Sequence, residues 1–185
     1  MLPRIGFPIA KQVPQPSVER IVAPASHPLV VGVEPGTSEL VVRTALSWAA
    51  SLGAELYIGY ADPTRITVAE YPDGTVRHTE LDSDLPDDSW HDREKALTAE
   101  LARVCHGSGV TWHFRYLAGR TDRALTHLAR AVDASAFLIG AKGRGRRRDP
   151  LEFLRSSVGT QLAHHQHRPV ILVPVSVVDW KEPLL

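Results

Sequence analysis

The chain predicts an α/β fold: an open, five-stranded, mostly parallel sheet with helices on both faces. Three observations carry that expectation. Five short runs rich in valine, isoleucine and leucine alternate with segments whose apolar residues recur at helical spacing, the order that lays strands side by side through helical crossovers. The chain has 185 residues, 43% hydrophobic and 23% charged, enough for one well-buried domain. The third strand-like run alternates in polarity, which places it at an edge of the sheet; with right-handed crossovers the order is then 3-2-1-4-5.

Residues 1–27 contain Pro3, Pro8, Pro14, Pro16 and Pro24 and no helical or strand period, so they read as a mobile arm. The ordered domain is expected over residues 28–176, with a tail over 177–185. Leu29 to Val33 is the first strand. It breaks at Glu34-Pro-Gly-Thr-Ser38, and helical spacing follows through Leu40, Val41, Ala45, Leu46, Trp48 and Ala49. Thr37 or Ser38 can cap that helix and Gly53 can end it. Leu56 to Tyr60 is the second strand.

From Asp62 to about Ser89 the pattern fails, punctuated by Pro63, Pro72, Asp73-Gly74 and Pro86. The piece from Thr75 to Leu81 reads as a short hairpin arm or as loop. A second helix resumes at Trp90 and stops at Gly107-Ser-Gly109. Val110 to Leu117 alternates as the edge strand. A third helix covers about Arg120 to Val132, with Thr121 as a cap and Ala124, Leu125, Leu128 and Ala131 inward. Ala136 to Ile139 is a strand covered on both faces. A helix from Glu152 to about His165 and a last strand, Val170 to Val175, complete the order.

Between the fourth strand and its helix lies the segment Gly140-Ala-Lys-Gly-Arg-Gly-Arg-Arg-Arg148. Its glycines leave the backbone free to take positive φ and to turn amides inward, and Lys142, Arg144, Arg146, Arg147 and Arg148 add positive charge. Such a loop serves either as an anion site at a helix N-terminus or as a solvated connection. In the order 3-2-1-4-5 the chain reverses direction between strands 1 and 4, where open sheets of this type bind ligands. The loops from Glu34 to Ser38 and from Gly140 to Arg148 flank that crevice.

Lys plus Arg and Asp plus Glu number 21 each, so no overall field points to nucleic acid or to an acidic membrane surface. No apolar run approaches the roughly 20 residues that cross a bilayer. A single cysteine, Cys105, forms no internal disulfide and fits a reducing compartment. These features predict a cytoplasmic protein. Catalysis has no clear carrier: Ser156 and Ser157 lack a glycine elbow, and the cluster His164, His165 and His167 has no cysteine or carboxylate beside it to complete a metal site.

Leu-Val-Val-Gly-Val-Glu at the first strand, Gly-Ala-Glu-Leu-Tyr-Ile after the first helix, Leu-Ile-Gly-Ala-Lys-Gly, Ser-Ser-Val and Arg-Pro-Val-Ile-Leu-Val-Pro resemble, over about residues 28–175, the universal stress protein family. The resemblance implies a stress-response or signalling module with the same sheet order, dimerising through the last strand, here Val170–Val175. In one branch it implies ATP binding. That branch carries Gly, two residues, Gly, nine residues, then Gly with Ser or Thr. Gly140 and Gly143 match the first pair; Ser156-Ser157 stands at the second, after residues 144–155 in place of nine, and Glu34 replaces the usual Asp. Carried over, the resemblance gives Glu34 and the backbone near Tyr60 and Ala61 to the base or ribose. It gives Gly140, Gly143, Ser156 and Ser157 to the phosphates, assisted by Lys142 and Arg144, with Val33, Gly36 and Val158 completing the lining. The expectation is binding of ATP or a related nucleotide without turnover. The alternative is a nucleotide-free scaffold whose arginine loop binds an acidic protein partner.

Overall fold

The computed structural model describes residues 17–81, 89–141 and 157–175. Five parallel strands form the main sheet: β1 (Leu29–Gly32), β2 (Leu56–Asp62), β5 (Trp112–Ala118), β6 (Ala136–Ala141) and β7 (Val170–Pro174). Their order is β5-β2-β1-β6-β7, the predicted 3-2-1-4-5. β1 is fully flanked, with Val31 opposite Ile58 on one side and Leu138 on the other. That is why the run Leu29 to Val31 is apolar on both faces and essentially without solvent contact.

Two cores lie on the two faces of the sheet. Helices α1 (Glu39–Leu52) and α2 (Ser89–Cys105) cover one, where Val31, Val41, Ala45, Ile58, Leu101 and Leu138 meet. Helices α3 (Thr121–Ala131) and α4 (Val158–His165) cover the other, around Val30, Leu117, Leu125, Leu128, Phe137 and Leu162. Close approach of α3 depends on Gly59, where an added Cβ would stand 2.7 Å from Leu125 Cδ2. Cys105 is buried in the first core, and burial pushes its thiol above the ordinary value. It is packing material rather than a reactive group.

Ser38, of the two candidate caps, closes α1 by accepting from the Leu40 amide, and Gly53 ends it at φ 61°. Leu40 and Trp48, which share the helical spacing, face outward and are 52% and 45% exposed. In α3 the cap position belongs to Arg120, with no side-chain cap bond, and Thr121 is the first helical residue. Ala129, not Ala131, completes the inward face there. The expected helix start at Glu152 lies outside the described residues.

The stretch after Asp62 is more ordered than the sequence pattern predicts. β3 (Arg65–Glu70) and β4 (Val76–Glu80) form an antiparallel hairpin separate from the main sheet. Its tight turn needs Gly74, at φ 80°, and a Cβ there would also run into Leu128 Cδ1. The hairpin straddles the β5 edge: Val76 packs into the α3-side core, while His78 lies against Trp90 and Tyr116 on the α2 side. Arg115 Nε donates to the Asp73 carbonyl at 3.0 Å, and Thr67 Oγ1 to the Ala118 carbonyl at 3.3 Å.

Candidate functional site

The carboxyl ends of β1, β2 and β6 meet where the chain reverses direction, and the described part of the predicted site converges there. Val33 continues beyond β1, buried, and its amide donates to the Gly59 carbonyl at 2.9 Å. Glu34 then enters a tight turn: its amide donates to Thr37 Oγ1 at 2.8 Å and the Thr37 amide returns to the Glu34 carbonyl at 2.9 Å. Gly36 supplies the φ of 80° that this turn requires, with open space around its Cα. The turn sets Glu34 in solvent at the mouth of the crevice.

β2 runs past the end of β1, and Tyr60, Ala61 and Asp62 wall the crevice on that side. Tyr60 and Ala61 are buried, at 7% and 5% exposure, so what they can offer a ligand is backbone. Burial pushes the Tyr60 hydroxyl above its ordinary value, and the charges of Asp62 and Glu34 add to that.

On the β6 side the structure changes the reason for Gly140. It does not begin a left-handed loop; it continues β6 opposite Val173, and its φ is not positive. An added Cβ would stand 3.0 Å from Val41 Cγ2 in α1, so the residue is small because helix and strand approach closely. Ser157 is the N-cap of α4, accepting from the Thr160 amide at 3.2 Å with its Oγ 2.7 Å from Thr160 Oγ1. Val158 opens the helix and packs on the α3-side core. Lys142, Gly143, Arg144 and Ser156 lie outside the described residues.

Between the Glu34 turn and α2 the walls leave a cavity of only about 20 Å³, lined by Val33, Glu34, Leu97 and Leu101 among others. That is room for about one water. A larger ligand at this crevice has to lie outward, over the Glu34 turn and the end of β6, rather than between α1 and α2.

A polar cluster beside the crevice was not foreseen. Asp62, 1% exposed, accepts hydrogen bonds from Tyr116 Oη and Arg93 Nη1, and from the Thr64 amide and hydroxyl at 2.9 and 2.7 Å. Burial opposes its ionisation, but the bonds from Tyr116 and Thr64 and the Arg93 charge outweigh burial and hold its carboxyl below the usual range. Burial first, and then the bond to Asp62, pushes the Tyr116 hydroxyl well up. Arg65, 6% exposed, stacks over Trp90 at 5.0 Å and donates from Nε to His78 Nδ1 at 2.7 Å. Each hydrogen-bonding group of Asp62 that these bonds use is spoken for, so the cluster latches hairpin and α2 to the sheet. The sequence does hold one sign of it, a carboxylate placed directly after the apolar run Leu56 to Ala61.

Among the described residues no three His, Cys, Asp or Glu side chains gather as a metal site. No helix among them is long and apolar enough to cross a membrane.

Comparison with known proteins agrees with the fold. A universal stress protein solved in complex with cAMP is similar to this chain with a TM-score of 0.60 at 21% identity, over 82% of this chain and 99% of that one. A universal stress protein from Archaeoglobus fulgidus in complex with dAMP gives 0.53 at 19% identity, covering 79% and 96%. One from Burkholderia pseudomallei gives 0.55 at 18%, covering 86% and 99%. No curated protein sequence matches the chain. The model of the universal stress protein family matches residues 26–174, and the chain belongs to that family.

Proposed function

We propose that this protein binds an adenine nucleotide, ATP or a relative, over the carboxyl ends of β1 and β6, and that binding rather than turnover is its function. The observation that carries the reading is the convergence of the Glu34 turn, the backbone at Tyr60 and Ala61, the end of β6 at Gly140 and the capped N-terminus of α4 at one switch point. Two similar structures hold cAMP and dAMP, which supports a nucleotide as the ligand class. In this reading Glu34 meets the ribose or base, and the segment from Gly140 through Gly143 to Ser156 and Ser157 meets phosphate, with Lys142 and Arg144 adding charge. The protein acts in the cytoplasm as a two-fold dimer through Val170–Val175.

Mass spectrometry of ligands released from purified protein, followed by calorimetry against ATP, cAMP and dAMP, tests this. A co-purified nucleotide or a micromolar affinity lost in Gly143→Val supports it, and Ser156→Gly is expected to tighten binding by restoring the glycine of the ATP branch. Absence of binding in wild type and in Ser156→Gly would overturn it. The small enclosed volume beside Glu34 favours one rival, a nucleotide-free scaffold whose arginine segment binds an acidic partner.

A further inference from the structure

A cavity of about 360 Å³ lies on the outer side of α3, away from the switch point. It is within the size range of small-molecule sites. Arg120, Arg123, His127 and Arg130 recur along α3 at helical spacing and all line it, and His165 at the end of α4 faces them. Two carboxylates also reach the groove, and both are already engaged. Asp122 accepts from Arg120 Nε and Nη2 at 3.1 and 2.8 Å, and Glu70 of the hairpin lies 2.8 Å from His127 Nδ1.

The guanidiniums of Arg123 and Arg130 therefore face the groove without an acidic partner among the described residues. Several other arginines of the described fold have carboxylate partners: Arg43 and Arg103 with Glu39, Arg93 with Asp62, Arg168 with Asp133. Arg123 and Arg130 stand seven residues apart, close to two turns, so their positions are separated by about 10 Å along one face of the helix. Behind the groove wall, Nε2 of His127 is buried and has no hydrogen-bond partner among the described residues. A buried polar atom in that condition marks a missing partner.

We propose that this groove is a second anion site, taking a small organic molecule that carries two phosphate groups, one against Arg123 and one against Arg130. The spacing, about two helical turns, suits two phosphates held apart better than one. The volume decides for a compact ligand rather than a surface contact. Glu70 stands at the wall as a competing anion, so it sets how tightly the groove holds its ligand. The site is independent of the nucleotide reading, since none of its residues lines the switch-point crevice.

Calorimetry of the full chain with fructose 1,6-bisphosphate and with glucose 6-phosphate tests it. The bisphosphate is expected to bind about tenfold or more tightly than the monophosphate, because it closes a second charge-assisted contact. Arg123→Gln and Arg130→Gln, both exposed and without side-chain partners among the described residues, should each weaken the bisphosphate about tenfold and leave the thermal midpoint in place. Glu70→Gln should tighten it severalfold. Gly143→Val, which strikes only the proposed nucleotide site, should not change it. ATP competing with the bisphosphate in that variant would identify the natural ligand as a nucleotide polyphosphate; no competition would identify it as a bisphosphate of the sugar type. Equal affinity for the two sugar phosphates, arginine variants within twofold of wild type, no binding, loss of binding in Gly143→Val, or tighter binding of a hexaglutamate peptide would each overturn the proposal.

Discussion

At one border of the sheet β5 is wrapped by a hairpin that reaches both faces, whereas at the other β7 pairs only with β6 among the described residues and leaves Leu172 55% exposed. The covered edge is polar in its fastening: Asp62, Arg93 and Tyr116 on one side, Arg115 and Asp73 on the other. The open edge is apolar, Val-Ile-Leu-Val-Pro, and Pro174 removes only one backbone donor. An edge of that kind invites another strand. The insertion after β2 protects one border from within the chain, while the other stands open among the described residues, and a second copy related by a two-fold axis, as proposed above, would satisfy both β7 edges at once.

The largest test is to unfasten the covered edge. Asp62→Ala leaves Arg93 and Tyr116 without their acceptor in a buried setting, and should cost about 3 kcal/mol of stability in urea unfolding. It should also raise hydrogen exchange in the hairpin far more than in β6. Equal exchange in the two regions would show that the hairpin is held by packing instead.

The open edge is tested by Leu172→Lys, which places a charge where the side chain is already half in solvent. The fold should lose no more than about 0.5 kcal/mol, as exposed substitutions do. Sedimentation should show a shift from dimer to monomer at micromolar concentration. A wild-type monomer would break the contrast, because something within the chain would then cover β7.

The finest effect is on pH. Burial and the neighbouring Arg65 charge hold the His78 imidazole below its ordinary pKa. The unfolded chain therefore takes up this proton before the folded one does. The contribution to stability is full above the unfolded value of about 6.5 and falls as pH drops from there toward the folded value. Hairpin amides should exchange faster at pH 5.5 than at pH 7.5, relative to β6 amides, and His78→Gln should flatten that difference. Asp62 works at lower pH. Its depressed carboxyl contributes above about 3.9, the unfolded value, and the contribution is lost as pH falls through the folded value.

The sequence by itself determined the sheet. Strands buried on both faces must be apolar throughout, so Leu29 to Val31 and Ala136 to Ile139 stand out in the chain, and the half-exposed Trp112–Ala118 marks its own place at an edge. That order, and with it the crevice between the Glu34 turn and Gly140, follows from crossover handedness. Tertiary structure alone decided the rest. The hairpin keeps Ile66 and Val68 at 40% and 49% exposure, so no buried stripe announces β3. Asp62 meets Arg93 and Tyr116 across separations of 31 and 54 residues, beyond any local pattern. Gly140 reads in the sequence as a loop glycine free to take positive φ and is a strand contact, because only the packing of Val41 against β6 sets how much room a side chain has there. The spacing of Arg120, Arg123, His127 and Arg130 is present in the sequence, but a helical stripe becomes a groove only when neighbouring elements raise walls beside it. Here Glu70 of the hairpin and His165 of α4 supply them, from positions that chain order does not connect.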